Sequence, residues 1–241
     1  MKNILKLIAI SLVLFVAASC EEPETGLTKI TYYAQVDLNG DQYMYATLGE
    51  DFVDPGVTAT MKGKDVSDMV IVKGEVDTEE SGMYTLTYTV VNEDGFSASA
   101  SRYVLVKDPA DQYAGIYNVR TNESYRLSGG ETVIYNAKEY VEEPLIIINQ
   151  GDGTYSINDL LGGWYWQRAG YGEEYCIAGK FEIANDGTIN LTYNKMVGGW
   201  ADELVGFTEA KFTQVSGTTS AQWVAEYVEG MIFNVTADKV E

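Results

Sequence analysis

The stretch GMYTLTYTVVNEDGFSASASRYVLV, residues 82–106, decides the fold class. Two runs of alternating character, 85–91 and 97–106, flank the turn residues Asn92-Glu93-Asp94-Gly95. A side-chain period of two puts Leu86, Tyr88 and Val90 on one face, as in a half-buried strand, and the intervening turn chemistry predicts a hairpin. Outward from this pair, Asn39-Gly40 and Asp54-Pro55-Gly56 mark further tight turns. Strands recurring at such short intervals, with no helical period between them, predict a small all-β sandwich over residues 29–107.

Lys107-Asp108-Pro109-Ala110-Asp111 is a polar, proline-bearing junction, and a second domain is expected over 112–241. Strand patterns run from Gly115 to Arg120, Pro144 to Gln150, Thr154 to Asn158, Gly179 to Ala184, Thr188 to Tyr193, Ala221 to Tyr227 and Met231 to Thr236. Gln150-Gly151-Asp152-Gly153 and Asn185-Asp186-Gly187 supply hairpin turns. Seven or eight antiparallel strands imply a barrel or a sandwich. A barrel is favoured because closure removes exposed sheet edges.

The N-terminus follows a signal-peptide plan over residues 1–19: Lys2 and Lys6, an apolar run from Leu7 to Val16, then Ala17, Ala18 and Ser19 before Cys20. The run falls short of the roughly 20 residues that a membrane-crossing helix needs. The chain holds 16 Lys+Arg against 36 Asp+Glu, for a net charge of −20; loss of residues 1–19 removes Lys2 and Lys6 and makes it −22. Such acidity repels nucleic acid and anionic headgroups. Of the two cysteines, Cys20 and Cys176, a lipid on the first leaves the second without a disulfide partner.

Four segments resemble known families. Small residues before Cys20 resemble the lipobox of bacterial lipoproteins, which implies a lipid anchor (palmitate among its chains) at Cys20 and a tether over 20–28. Glu21 and Glu22 resemble the surface-export signal of Bacteroidetes lipoproteins, which implies the outer membrane and its exposed face. The elements "DPGVTA" at 54–59 and "GMYTLTY" at 82–88 resemble a bacterial immunoglobulin-like surface domain, which implies a spacer. "GDGTYSINDLLGGWY" at 151–165 with "AGKFEIANDGTINL" at 178–191 resembles Bacteroidetes lipoproteins that carry an immunoglobulin-like N-terminal domain and a C-terminal β domain of unknown function. Their frequent association with SusC/SusD-like uptake pairs implies an accessory role beside such a transporter.

Histidine is absent, which removes Ser-His-Asp and Cys-His machinery and the commonest zinc ligand. Cys176, in a strand-like run, reads as a buried small hydrophobe. Paired carboxylates among Glu173, Glu174, Asp202 and Glu203 are the remaining route to hydrolysis of a glycosidic bond, and among 36 acids such neighbours arise by chance. Asp37-Leu38-Asn39-Gly40-Asp41 fails the EF-hand register, with Gln42 and Leu48 where glycine and glutamate belong. No catalytic residue, metal or cofactor is expected.

The unusual stretch is LLGGWYWQRAGYGEEY, residues 160–175, with a second cluster at Gly198-Gly199-Trp200-Ala201-Asp202. Read as extended chain, Trp164 and Trp166 face one way and Tyr165 the other, and at least one large ring is expected to meet solvent. The alternative is that these tryptophans plug the ends of a barrel and pack the core, a reading that suits Trp166 more than Trp164. Trp164, Tyr165, Trp166, Arg168, Tyr171 and Trp200 form the expected ligand-binding set, with Arg168 and Glu174 supplying directional bonds to a glycan or an oligopeptide. The alternatives are a structural subunit of the transporter complex that touches no ligand, and a glycan hydrolase.

Overall fold

The computed structural model describes residues 30–136, 138, 140 and 143–240. Cys20 and the signal segment lie outside the described residues. Among the described residues no helix is long and apolar enough to cross a membrane.

The N-terminal unit holds β1 (Gln35–Leu38), β2 (Tyr43–Thr47), β3 (Val57–Met61), β4 (Lys64–Asp65), β5 (Ile71–Lys73), β6 (Gly82–Val91) and β7 (Ser97–Lys107). Two sheets, β1-β3-β4 and β2-β7-β6-β5, face each other, with β2 running parallel to β7. The predicted hairpin is β6–β7, paired without a break from Gly82↔Val106 to Val91↔Ser97. Its turn is pinned by Asn92, whose Oδ1 accepts the N–H groups of Asp94 (3.0 Å) and Phe96 (2.8 Å). Leu86, Tyr88 and Val90 are buried together, as the alternation predicts.

Arg102 explains why the two immunoglobulin-like motifs occur together. Its side chain is wholly buried, donates to the carbonyls of Asn39 (2.6 Å) and Asp41 (3.2 Å), and pairs with Asp54. Asp54 also accepts the Tyr88 hydroxyl at 2.7 Å. The aspartate that opens "DPGVTA" is therefore joined to the last tyrosine of "GMYTLTY", and the buried charge has both an opposite charge and hydrogen bonds to offset its desolvation.

The C-terminal unit contains β8 (Gly115–Val119), β9 (Tyr125–Ser128), β10 (Glu131–Ile134), β11 (Leu145–Asn149), β12 (Thr154–Ile157), β13 (Ile177–Ile183), β14 (Ile189–Met196), β15 (Gly206–Val215), β16 (Thr218–Val228) and β17 (Met231–Lys239). They form one antiparallel sheet that runs β14-β13-β12-β11-β8-β17-β16-β15, with the β9–β10 hairpin added along the first half of β17. The sheet curls into a half-barrel. Among the described residues its end strands approach through one bridge, Thr188↔Lys211, and through the Phe212 N–H donating to the Gly187 carbonyl at 2.8 Å. Strands β9, β10 and β15 were not expected from the sequence. The concave side buries Tyr117, Leu145, Ile147, Phe181, Phe212, Trp223 and Phe233. A small apolar cluster, Leu105, Ile116 and Ile146 with Tyr43, Tyr45 and Met83 against it, joins the two units.

Candidate functional site

The segment between β12 and β13 folds into the hollow of the half-barrel, and Asp159 organises it. This fully buried carboxylate accepts the backbone N–H groups of Leu161 (3.0 Å), Gly163 (2.7 Å) and Ile177 (3.0 Å). Burial pushes its carboxyl up to about 6, while these N–H groups and the Cys176 thiol pull the other way. The next three carbonyls are each taken by a distant side chain. Trp223 Nε1 donates to Leu160 (2.6 Å), the Tyr135 hydroxyl to Leu161 (2.5 Å) and the Tyr140 hydroxyl to Gly162 (2.8 Å). Gly163 sits at φ 80°, where a Cβ would come within 2.6 Å of the Tyr140 oxygen.

Beyond Gly163 the chain abandons the extended conformation. Trp164–Arg168 is a π-helical turn, with the Arg168 N–H donating to the Gly163 carbonyl (3.2 Å) and the Ala169 N–H to that of Trp164 (2.9 Å), each five residues back. Alternation holds only for strands, so the expected placement of the tryptophans is reversed. Trp164 is buried, against Tyr135 (5.1 Å) and Phe233 (5.9 Å) between ring centroids. The guanidinium groups of Arg126 and Arg168 lie 5.0 and 4.5 Å from its ring centre. Arg168 therefore packs onto the core tryptophan. Trp166 is only half-buried and faces the groove between the two units.

Tyr165, Tyr171 and Trp200 of the expected set do come together. Tyr165, itself buried, meets Trp200 edge-on at 5.4 Å and stacks near Tyr171 at 5.9 Å. Tyr171 and Trp200 remain 53% and 49% exposed. Tyr175 packs on Trp200 at 4.7 Å, and Tyr227 abuts Tyr165 at 5.7 Å while donating its hydroxyl to Asp202. The glycines before Trp200 are steric requirements here: a Cβ on Gly199 would lie 2.7 Å from the Tyr175 ring, and the Gly198 N–H donates to the Glu174 carbonyl at 2.8 Å. The result is a braced platform whose outer faces are Tyr171 and Trp200.

The groove itself, of about 530 Å³, is lined by Tyr43, Tyr103, Ile146, Trp166, Glu173 and Tyr193 among others. Tyr43 and Tyr103 stack at 4.9 Å, and the Tyr43 hydroxyl donates to Glu143. Cys176 forms part of the wall as a buried thiol whose pKa is raised by burial, so it lacks thiolate character. The residues 171–176 and 197–200 flank groove and platform alike: Glu173 and Val197 line the one, Tyr171, Tyr175 and Trp200 build the other. Tyr43, Tyr103, Tyr175, Tyr193 and Tyr227 were missed from sequence. Their only signal was a high tyrosine count, 18 in the chain.

Residues 36–106 match the family model "Bacterial surface protein, Ig-like domain", and 106–239 match a family model described as a C-terminal domain. The comparison with curated proteins finds no match. Among solved structures, the lipoprotein BT2262 from Bacteroides thetaiotaomicron superposes with a TM-score of 0.74 at 32% identity, covering 86% of this chain and 100% of that one. Two structures of Clostridium perfringens ZmpB fragments, CBM51-2 with GlcNAc and INT domains and the M60 catalytic domain with two CBM51 domains, reach 14% and 13% identity. They cover 86% and 87% of this chain and 44% and 23% of theirs, and their TM-scores of 0.27 and 0.28 lie too low to indicate a shared fold.

Together these define a two-domain bacterial protein, a surface-type immunoglobulin-like domain followed by a curled β domain. The chain belongs to the family of the Bacteroides lipoprotein BT2262.

Proposed function

We propose that this protein is a non-enzymatic lipoprotein, anchored through Cys20 at the exposed face of the outer membrane, that captures a glycan on the Tyr171–Trp200 platform. The immunoglobulin-like domain spaces that platform from the membrane, and the lipoprotein serves a SusC/SusD-like uptake complex, the role its resemblance implies. The observation that carries the ligand reading is the pair of half-exposed rings locked in place by Tyr165, Tyr175 and Tyr227. Fixed rings lose little freedom on binding. Their faces suit the C–H face of a sugar, and the nearby Asp202 and Glu174 carboxylates suit its hydroxyls.

Of the four tryptophans, Trp164 and Trp223 are buried and Trp166 half-buried, which leaves Trp200 as the fluorescent reporter of the platform. Titration of the unlipidated mature chain with host glycans is expected to give a saturable emission shift that Trp200→Ala abolishes and Tyr171→Ala weakens at least tenfold. A response to peptide digests instead would replace the sugar with an oligopeptide. Silence toward both, with Trp200→Ala folded normally, would leave a transporter subunit that touches no ligand.

A further inference from the structure

We propose a second binding site, independent of the aromatic platform and of the groove that Trp166 faces: another groove at the junction of the two units binds an oxyanion (the carboxylate, sulfate or phosphate group of a small ligand) between the ammonium groups of Lys107 and Lys239. Lys107 ends β7 and Lys239 ends β17, so each unit contributes one charge. Both line a groove of about 470 Å³ together with Ala46, Pro109, Ala110 and Asp111.

Neither ammonium group takes part in an ion pair among the described residues. Their hydrogen bonds go to main-chain carbonyls, Lys107 to Asp108 (2.8 Å) and Lys239 to Gln112 (3.1 Å) and Asp111 (3.4 Å). The neighbouring carboxylates are committed elsewhere. Asp111 accepts the backbone N–H groups of Tyr113 and Ala114, the Asn149 amide and the Tyr155 hydroxyl, and Asp108 accepts the N–H of Ala110. In a chain with 36 acids and 16 bases, two lysines share one concavity, and the oxygens of the neighbouring Asp108 and Asp111 are already taken by other donors, so neither ammonium group has a carboxylate directly on it. The Lys239 stem lies over Gly115, where a Cβ would come within 2.5 Å of it, so the head is aimed by packing.

Burial, and then the charge of Lys107, push the Lys239 ammonium down to about 8. An anion seated between the two would relieve both penalties. Ala46, Pro109 and Ala110 offer an apolar wall for the carbon skeleton that carries it.

The test is NMR of the mature chain carrying Cys20→Ser and 13Cε-labelled lysine, titrated at low ionic strength with glucuronate, sulfate and inorganic phosphate, with acetate and glucose as controls. The expected result is a saturable shift confined to the Lys107 and Lys239 resonances, with no response to glucose. Lys239→Met keeps the stem over Gly115 and should weaken binding at least tenfold, and Lys107→Met with Lys239→Met should abolish it. Glucuronate tighter than acetate points to a sugar acid; sulfate or phosphate tighter than glucuronate points to an ester. Shifts spread evenly over all lysines, absence of any shift at millimolar anion, or unchanged affinity in folded Lys→Met variants would each overturn the proposal. Confinement of the wild-type shift decides the matter should a variant misfold.

Discussion

Asp159 shows how one side chain sets both local geometry and a pH dependence. Its carboxyl titrates near 6 in the folded chain against 3.8 for the free group, so between these values the folded chain keeps a proton that the unfolded chain has released. Its contribution to stability is therefore fully present below pH 4 and is lost as pH rises through 6, a change of about 3 kcal/mol for a shift of roughly two units. Urea unfolding of wild type and Asp159→Asn from pH 4 to 7 should show wild type gaining on the variant as the solution is acidified. A difference independent of pH would refute the assignment. Arg102 meets burial with partners instead, pairing with Asp54 and donating to the carbonyls of Asn39, Asp41 and Gly56.

At the scale of elements, the 158–176 segment is held by its backbone as much as by its rings. Three carbonyls in succession accept from Trp223, Tyr135 and Tyr140, and the π-turn begins directly after two glycines at φ 61° and 80°. Gly163→Ala sets a methyl group against Tyr140 and Gln167 in a left-handed conformation that L-residues avoid. The expected cost is about 2–3 kcal/mol from strain and overpacking, read as a lower urea midpoint, and a weakened near-UV aromatic signal as Trp164 is displaced. An unchanged signal would mean that the turn does not depend on this backbone. The sequence showed that residues 160–175 were unusual, and it named Tyr171 and Trp200. A period of two misplaces Trp164, because the chain there is a turn with bonds five residues apart.

For the whole molecule, the decisive contact is the small cluster of Leu105, Ile116 and Ile146 between the two units. Hydrogen bonds reinforce it: the Tyr45 hydroxyl accepts the Ile116 N–H and donates to the Val240 carbonyl, each at 2.8 Å. The two units are accordingly expected to unfold in one calorimetric transition. Ile146→Asp buries a charge in that cluster and should split the transition into two, with the more stable unit keeping its midpoint. Two transitions in wild type would show that the units are thermodynamically separate.

The sequence alone determined the strands and turns whose information is local: β6 and β7 from alternation around Asn92–Gly95, and the β11–β12 and β13–β14 turns from their glycines. Strands β9, β10 and β15 stayed hidden because of their sparse apolar patterning; β15 buries only Ala210 and Phe212. Only the tertiary structure decided which rings are inside and which site they make. Tyr43 meets Glu143 across 100 residues, Trp223 fixes the Leu160 carbonyl across 63, and Lys107 and Lys239 share a groove because β17 pairs with β8, the strand that follows β7 at the domain junction. Burial and charge pairing are properties of neighbours in space, and the pairing of distant strands and the packing of the two units, which no short stretch encodes, choose those neighbours.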